Sequence, residues 1–238
     1  MITLSGRTYL VIGGSRGLGR VIVRGLVEAG AKNTLFTYYR NEGAAVDLAK
    51  LVPRTGYYQV NVCKAHSVLQ LAEYFNGEKF DGLIHCAGIN IPGPDPEPMA
   101  VQAVMDVNCY GAWNVAYYLS PLVKDEGSVV FIGSSSAYTG GPASGHYSMS
   151  KAALSGLNTH FAKRLAPRGV RVNLLHPGYI ESEMADKAGP VVQEMTGRTL
   201  LGRIGKPKEV VGSVLFLLSD LSSYVTGQEL RVDGGLVV

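Results

Sequence analysis

The sequence predicts an α/β protein in which a doubly wound, mostly parallel sheet carries helices on both faces. Short apolar runs typical of buried strands alternate along the chain with longer segments whose apolar residues recur at helical spacing. The 238 residues, of which 46% are hydrophobic and 17% charged, are enough to bury a substantial core. With neither a linker nor a repeat in the sequence, we expect one domain over residues 1–238.

The predicted elements follow from these patterns in chain order. Strands are expected at residues 8–12, 33–38, 57–62, 80–85, 128–133, 170–175 and 229–232, where short apolar runs end at glycine, proline or polar clusters. Helices are expected at residues 20–30, 42–51, 65–75, 99–122, 146–165 and 207–218. Because strands and helices alternate, neighbouring strands should be parallel and joined by helical crossovers.

The composition argues against several classes of function. A net charge of +3 without a run of Lys or Arg argues against a nucleic-acid partner. Gly, Pro or charge interrupts every apolar stretch before the roughly 18 residues of a membrane span, and no cleavable signal is evident at the N-terminus. The cysteines, Cys63, Cys86 and Cys109, are scattered, which indicates a reducing cytoplasm and no metal site.

A glycine-rich turn, GGSRGLG, follows the first strand and opens a helix. Gly13, Gly17 and Gly19 would let the backbone approach a pyrophosphate, and the helix N-terminus would supply free N–H groups. A tight turn with close helix packing would give the same pattern. The flanking strand and helix favour the phosphate-binding interpretation, and therefore a dinucleotide.

The end of the second strand favours NADP(H) over NAD(H). At this position an acidic residue would accept from the ribose 2′-hydroxyl of NAD, whereas the chain has Tyr38, Tyr39 and Arg40. Arg40 and Arg16 are placed to converge on a 2′-phosphate, which guanidinium groups suit. The alternative is that both arginines are solvated surface residues.

Two asparagines and two irregular segments are further candidates for contact with a ligand. Asn61 would either bond an adenine or cap the next helix, and Asn108, in an apolar helical register, would hold backbone or order waters. The proline-dense loop at residues 90–98 should border a ligand crevice. Residues 177–199 mix Gly, Pro and Met and form either a substrate lid, at about residues 183–199, or a surface helix pair.

The candidate catalytic residues are Ser134, Tyr147 and Lys151. In a helix, residues four apart share a face, and an ammonium about 4 Å away would lower the phenol pKa from near 10 towards the working range. In a chain with 13 Tyr, one Tyr-x-x-x-Lys match is expected by chance. The predicted location of these residues is stronger evidence for catalysis than the Tyr-x-x-x-Lys spacing. They follow the fifth strand, at the sheet edge where the glycine turn also lies.

Taken together, the residues resemble the classical short-chain dehydrogenase/reductase family over nearly the whole chain. The family's catalytic Ser, Tyr and Lys match Ser134, Tyr147 and Lys151, and the spacing selects Ser134 over Ser135 and Ser136. Other motifs in the family's order lie at residues 12–19, 85–88, 107–108, 171–173, 177–178, 201–209 and 222–235. The resemblance implies a single-domain Rossmann fold with a seven-stranded sheet.

The resemblance also implies a mechanism of hydride transfer between nicotinamide and a carbonyl or carbinol carbon. Tyr147 would donate the proton, Ser134 would bond the substrate oxygen, and Lys151 would bind the nicotinamide ribose and lower the pKa of Tyr147. Asn108 would hold a water that links Lys151 to solvent. The expected cofactor-binding residues are Gly13, Ser15, Arg16, Gly17, Leu18, Gly19, Tyr39, Arg40, Asn61, Val62, Ala87, Gly88, Tyr147, Lys151, Pro177, Gly178, Ile180 and Ser182.

Three departures from the family pattern suggest a divergent member. Ile12 replaces the usual threonine, so bonds that brace the central strands must be made otherwise. His85 and Cys86 replace two asparagines, with the same consequence. Ser182 replaces a threonine that contacts the nicotinamide amide and retains a hydroxyl donor.

The function expected from this resemblance is NADPH-dependent reduction of a ketone to a secondary alcohol, with a carrier-bound 3-oxoacyl thioester as one candidate substrate. Arg168 matches a carrier-docking arginine, but Asp125 stands where a second is often found. Alternatives are NAD-dependent oxidation of a small secondary alcohol and a non-catalytic dinucleotide sensor. The resemblance also implies a homotetramer or homodimer, paired through the two long helices and the last strand.

Overall fold

Seven strands form one sheet in the computed structural model, which describes residues 2–93, 96–141, 144–181 and 189–238. The spatial order is β3-β2-β1-β4-β5-β6-β7, and every neighbouring pair is parallel. The strands are β1 (Thr8–Ile12), β2 (Asn33–Tyr38), β3 (Thr55–Gln59), β4 (Phe80–His85), β5 (Val123–Ile132), β6 (Arg171–Pro177) and β7 (Glu229–Val232).

Helical segments connect successive strands. The α-helices within the described ranges are α1 (Gly17–Glu28), α2 (Glu42–Leu51), α3 (Ala65–Tyr74), α4 (Pro98–Met105), α5 (Gly111–Leu119), α6 (Ser136–Thr139), α7 (Gly145–Leu165), α8 (Gly189–Gly197) and α9 (Pro207–Leu218). A π-helical turn, Asp106–Tyr110, joins α4 to α5. Short 3-10 turns lie at Ser120–Leu122, Ala166–Arg168 and Asp220–Ser222.

Two hydrophobic cores lie on opposite faces of the sheet, because alternate residues of a strand point to opposite sides. Leu10 and Ile12 of β1 pack with side chains of α3, α5 and α7. Tyr9 and Val11 pack with side chains of α1, α2 and α9. The fold is therefore the doubly wound, single-domain Rossmann architecture expected from the sequence.

Several helices and strands begin or end at residues other than the predicted ones. The helix expected at residues 99–122 contains the π turn and ends in a 3-10 turn, and α1 begins at Gly17 rather than residue 20. The third strand lies at Thr55–Gln59 rather than residues 57–62, in register with Thr34–Tyr38. The fifth begins at Val123 because an irregular register lets Val123 pair with Phe80 and Ser128 with Gly82.

The sheet order places a crevice at the carboxyl end of β1. Strand β1 lies between β2 and β4. The chain runs outward from β1 to β3 on one side of it, then crosses over to β4 and runs outward to β7 on the other side. Ligands of open α/β sheets bind at such a switch point, outside the carboxyl ends of the strands. The glycine turn follows β1, and Ser134 follows β5 at the same edge.

Candidate active site

The glycine turn is held against β2 and β4 by contacts that only glycine permits. The N–H groups of Gly13 and Gly14 donate to the hydroxyl and the carbonyl of Thr37, both at 3.0 Å. A Cβ on Gly13, whose φ is +80°, would lie 2.7 Å from the Cα of Ala87. A Cβ on Gly19 would lie 2.2 Å from the carbonyl oxygen of Gly13. Because Gly13 and Gly19 have no side chains, the backbone of the turn can pack this closely and line the crevice.

The N-terminus of α1 has the electrostatics of an anion site. Arg16 is its N-cap residue, and in the described chain no side chain caps the helix and no acid lies in its first turn. The first N–H groups of the helix therefore carry an uncompensated partial positive charge. Ser15 is buried beside this turn and Leu18 is half-buried. These features fit the pyrophosphate of a dinucleotide.

The two arginines expected to select NADP are exposed beyond the ends of adjacent strands. Arg16 follows β1, and Arg40 follows β2 with its guanidinium 5.3 Å from the ring centroid of Tyr39. Glu42, at the start of α2, was not among the residues considered for this position. Burial of Tyr38 and its hydrogen bond with Glu42 both raise the pKa of that phenol, so one acid does lie near the end of β2.

Asn61 makes local contacts in the turn that leads to α3. Its side-chain oxygen accepts from the N–H of Cys63 at 3.1 Å, and its N–H donates to the hydroxyl of Ser67 at 3.0 Å. The carbonyl of the buried Val62 accepts from Asn114 at 2.8 Å. These contacts lie ahead of α3, whose N-cap residue is Lys64 and which receives no side-chain cap from the described residues, so the prediction that Asn61 caps this helix is wrong. Contact of Asn61 with adenine stays a prediction.

Ser134, Tyr147 and Lys151 come together at the carboxyl end of β5. Tyr147 and Lys151 share one face of α7, with the Lys151 nitrogen 5.8 Å from the Tyr147 ring centroid. Ser134 lies beside the phenol, where its hydroxyl acts to lower the Tyr147 pKa. The Ser134 oxygen accepts from the N–H and the hydroxyl of Ser136, at 3.2 and 2.9 Å. The serine's own hydrogen is therefore directed away from Ser136.

Burial dominates the titration of the Tyr/Lys pair. Burial raises the pKa of Tyr147 to about 12, although the hydrogen bond with Ser134 acts in the opposite direction. Burial also lowers the pKa of Lys151 to about 8. The expectation that Lys151 lowers the pKa of Tyr147 is thus wrong for the unliganded protein. The Lys151 nitrogen instead donates to the carbonyl of Ile132 at 3.0 Å.

Asn108 lies in the π turn and binds the segment that follows β4. Its oxygen accepts from the N–H of Ile89 at 2.8 Å, and its nitrogen donates to the carbonyl of Ile89 at 2.9 Å and to the hydroxyl of Ser150 at 3.0 Å. Both amide hydrogens are thereby used by the protein. A Cβ on Gly88 would lie 3.2 Å from the Lys151 nitrogen and 3.3 Å from the Asn108 oxygen.

The remaining candidate residues lie beyond β6. The carbonyl of Pro177 accepts from the N–H of Ser135 at 2.8 Å, which ties the serine segment to β6. A Cβ on Gly178 would lie 2.7 Å from the Cα of Asp233. Ile180 forms a parallel bridge with Gly205. Ser182 and residues 183–188 of the expected lid lie outside the described residues, and the rest of that lid is largely α8.

Comparison with known proteins decides the family. A family model described as enoyl-(acyl carrier protein) reductase matches residues 12–237. The chain belongs to the short-chain dehydrogenase/reductase family. The 3-oxoacyl-[acyl-carrier-protein] reductase of Thermotoga maritima is 33% identical and covers 99% of each chain. This short-chain dehydrogenase/reductase is therefore an oxidoreductase.

Solved structures of the family superimpose on this member closely. A short-chain dehydrogenase/reductase from Serratia marcescens is 29% identical, covers 99% of each chain and gives a TM-score of 0.89. A blue fluorescent protein from a metagenomic library, in complex with NADPH, is 30% identical over 99% of this chain and 100% of that one, with a TM-score of 0.92.

The family's two asparagines after β4 are replaced by groups that are uncharged at neutral pH. His85 is fully buried, neither ring nitrogen has a hydrogen-bond partner among the described residues, and burial lowers its pKa to about 3. Burial raises the pKa of the Cys86 thiol to about 11. The N–H of Cys86 donates to the carbonyl of Ile12 at 2.9 Å. This bond and the Gly13–Thr37 bond brace the central strands without either asparagine or the family threonine.

Three further side chains of this family member approach the catalytic residues, and none of them was predicted to belong to the site. Cys86 and Tyr179 both contribute to the electrostatic environment of Tyr147, and His176 is completely buried against the backbone of Ser134. Cys86 lies within the family motif at residues 85–88, and His176 and Tyr179 flank the motif at residues 177–178. Adjacency to a motif was the available signal, but it does not reveal which way a side chain points.

The described residues contain no helix long and apolar enough to span a bilayer. Nor do they contain three or more His, Cys, Asp or Glu side chains arranged around a possible metal position.

Proposed function

We propose that this short-chain dehydrogenase/reductase uses NADPH to reduce a ketone to a secondary alcohol. One observation carries the proposal, namely that Ser134 and Lys151 both lie beside the Tyr147 phenol, at the sheet edge that also carries the glycine turn. A proton donor, an oxygen-binding hydroxyl and a dinucleotide cradle at one crevice are the parts that carbonyl reduction requires.

The chain's own residues would hold the cofactor along the carboxyl edge of the sheet. Gly13, Gly17 and Gly19 would receive the pyrophosphate at the N-terminus of α1, and Lys151 would bond the nicotinamide ribose. When bound, the nicotinamide supplies the hydride. Ala87, Gly88 and residues 177–180 would form the crevice walls, since close backbone approaches replace side chains at Gly88 and Gly178.

The proton would come from Tyr147. With its pKa raised to about 12, the phenol carries its proton throughout the neutral range, as a donor must. Ser136 donates to the Ser134 oxygen, so the Ser134 hydrogen is available to the Tyr147 oxygen or to a substrate carbonyl. Lys151, with a pKa lowered to about 8, is able to take up and release a proton near neutrality and would restore that of Tyr147.

Asn108 would support this transfer by position. It fixes both backbone groups of Ile89, the residue after Gly88, and Gly88 lies against the Lys151 nitrogen. One lone pair of its oxygen remains for a water, because Ile89 uses the other. That water would link Lys151 to solvent.

The preference for NADPH is supported by two arginines and one neighbour. Arg16 and Arg40 are exposed beyond the ends of the adjacent strands β1 and β2, and a structural neighbour was solved with NADPH. Glu42 acts against this preference, because its carboxylate would repel a 2′-phosphate.

A small ketone suits the site better than a carrier-bound 3-oxoacyl chain. Arg168 donates to Asp125 at 2.8 Å and also to the carbonyl of Val123, so its charge is compensated. It also lies at the amino end of β5, whereas Ser134 follows the carboxyl end. The similarity to a 3-oxoacyl-[acyl-carrier-protein] reductase keeps acyl thioesters as the second candidate substrate class.

The test is a cofactor and substrate panel combined with one substitution. Oxidation of NADPH and NADH would be followed with ketones, hydroxy ketones and 3-oxoacyl thioesters. On the preferred ketone, Tyr147→Phe should lower kcat about 1,000-fold, since positioned acid catalysis is worth about 10²–10⁴-fold, while cofactor binding persists. Tyr224→Phe, fully exposed, is the matched control and should not change kcat. Full turnover by Tyr147→Phe would exclude the assigned role.

We propose, from the family resemblance, that the chain assembles as a homotetramer or homodimer. An exposed aromatic face formed by Tyr110, Trp113 and Tyr117 supports assembly. The three cysteines are free, which is compatible with a cytoplasmic location.

A further inference from the structure

The imidazole of His176 lies behind the catalytic serine and is hydrogen-bonded to the backbone of that residue. Its Nδ1 atom is 2.9 Å from the carbonyl oxygen of Ser134 and 3.3 Å from its amide nitrogen. The ring is fully buried. It occupies the space that a side chain on the preceding residue would fill, since a Cβ on Gly133 would lie 2.6 Å from Nδ1.

His176 completes the anchoring of the serine segment to β6. The N–H groups of Gly133 and Ser135 donate to the carbonyls of Leu175 and Pro177, at 2.7 and 2.8 Å. Ser134 lies between these two residues in sequence, and its backbone N–H and carbonyl both contact the His176 side chain. Three consecutive residues are thus fixed from one strand, and the middle contact depends on an imidazole.

The second ring nitrogen is held by a carboxylate on β7. The Nε2 atom of His176 is 3.0 Å from an oxygen of Glu229, and the same oxygen accepts from the Tyr138 hydroxyl at 2.5 Å. Burial raises the pKa of Glu229, but hydrogen bonds from Tyr138, Ser155 and His176 outweigh it and hold that pKa below its ordinary value. Glu229 is therefore a carboxylate at neutral pH.

The carboxylate determines the tautomer of His176. A carboxylate only accepts hydrogen bonds, so Nε2 carries the hydrogen. A neutral ring then presents the Nδ1 lone pair to the Ser134 N–H, whereas a protonated ring presents an N–H to the Ser134 carbonyl. The other charged or titratable groups at this cluster are Tyr138 of α6 and Arg231 of β7, whose guanidinium lies 5.5 Å from the Tyr138 ring centroid.

We propose that His176, oriented by Glu229, is a positioning residue that sets the direction of the Ser134 hydroxyl. The proposal rests on the oxidoreductase function proposed above. His176 does not contact the Ser134 hydroxyl, so the arrangement differs from a nucleophilic Ser-His-acid triad, in which the imidazole takes the hydroxyl proton. Its effect is geometric, since sub-ångström placement of a donor against a developing oxyanion controls rate.

The first test compares substitutions at the two linked side chains. His176→Ala should lower kcat about 10- to 100-fold and leave the Kd for NADPH within about twofold, because a misplaced donor affects the transition state more than cofactor binding. His176→Asn, which offers a donor and an acceptor near Nδ1, should recover most of kcat. His66→Asn, an exposed histidine of α3, is the matched control and should match the unsubstituted enzyme. Unchanged kcat in His176→Ala would overturn the proposal.

A split between turnover and cofactor binding separates positioning from simple stabilisation. Glu229→Gln weakens the contact that orients the His176 ring, because an amide oxygen is a weaker acceptor than a carboxylate, so kcat should fall while the Kd for NADPH stays within about twofold. Glu73→Gln, an exposed residue of α3, should leave both constants unchanged. A Glu229→Gln enzyme with lower thermal stability but unchanged kcat would show that the cluster is only structural.

A spectroscopic measurement makes the test independent of turnover. The ¹⁵N shifts of the His176 ring in the unsubstituted protein should report protonated Nε2 and unprotonated Nδ1 in the neutral state. The opposite tautomer would contradict the assignment even if the substituted proteins do not fold. If the unsubstituted enzyme reduces no ketone and this tautomer is nevertheless observed, the proposed reaction fails while the hydrogen-bond network stands.

Discussion

The catalytic tyrosine and lysine show how strongly burial governs single residues in this protein. An exposed phenol and an exposed ammonium both titrate above pH 10. Here burial moves the pKa of Tyr147 up to about 12 and that of Lys151 down to about 8. Both pKa shifts favour the neutral forms. In the unliganded protein the Tyr147 phenol therefore keeps its proton, and the neighbouring Lys151 amine titrates near neutrality.

His85 should make the protein sensitive to acid. Its pKa is lowered to about 3 in the folded state, against about 6.5 in the unfolded chain. Between these values the unfolded state binds the extra proton, so stability falls as pH falls through this window, by an amount on the order of 3 kcal/mol at pH 4. His85→Asn should remove that part of the pH dependence, measured as the difference in urea unfolding between pH 7 and pH 4.

The control for this prediction is His66→Asn, because an exposed histidine gains no such dependence. If His85→Asn loses stability between pH 7 and pH 4 as steeply as the unsubstituted protein, His85 is not the buried neutral group described above.

The arginines beyond β1 and β2 should govern the choice of cofactor. Replacing Arg16 and Arg40 by Ala should raise KM for NADPH about tenfold or more and leave KM for NADH nearly unchanged, since a charge-assisted bond to phosphate is worth about 1.5–3 kcal/mol. Steady-state kinetics with both cofactors measures the ratio. Arg24→Ala, exposed on α1, is the control. Equal use of both cofactors by the unsubstituted enzyme would contradict the two-arginine argument.

Among the local elements, the glycine turn should be the least tolerant of a methyl group. Gly19→Ala places a Cβ 2.2 Å from a backbone oxygen, which should cost about 2 kcal/mol or more by forcing the turn apart and should weaken NADPH binding. Gly212→Ala, in α9, meets nothing within 4 Å and should gain about 0.5–1 kcal/mol. Guanidinium unfolding measures both. Equal stability of the two variants would contradict the close packing of the turn.

The spacing of apolar residues predicted the bounds of helices and strands correctly where one pattern runs through the whole segment. It gave wrong bounds where contacts between residues distant in sequence determine the structure. The bounds of β1, β2, α2, β4, α9 and β7 follow from apolar runs and stop signals. The start of β5 depends on its irregular pairing with β4, and the π turn carries Asn108, whose side chain bonds the distant Ile89. Neither partner lies within the window that a periodic pattern samples.

The candidate site shows the same division. Ser134, Tyr147 and Lys151 could be placed together because they follow one strand and share one helix. His176, Tyr138 and Glu229 belong to three different elements, and only the folded sheet brings them together. The sign of the Tyr147 pKa shift also escaped prediction, because residue spacing reports the neighbouring charge but not the extent of burial.

At the scale of the whole molecule, the exposed aromatic face on α5 and the preceding turn should mediate assembly. Trp113 and Tyr117 are 43% and 44% exposed, and Trp113 packs on Phe161 of α7 with ring centroids 5.6 Å apart. Trp113→Glu should reduce the molar mass measured by light scattering, because a buried unpaired carboxylate is costly. Leu51→Glu, at an exposed position on α2, should not. A monomeric unsubstituted protein would exclude this prediction.

The position of β1 between β2 and β4 also has a consequence in time. During synthesis, the β1–β2 and β2–β3 pairs can form once residue 59 has been made, but the other edge of β1 waits for residues 80–85. Until then a strand destined for the centre of the sheet has unpaired backbone groups, and such edges promote association between chains. Nascent chains that stop before β4 should therefore depend most on chaperones, whereas chains extending past β4 have already closed that edge.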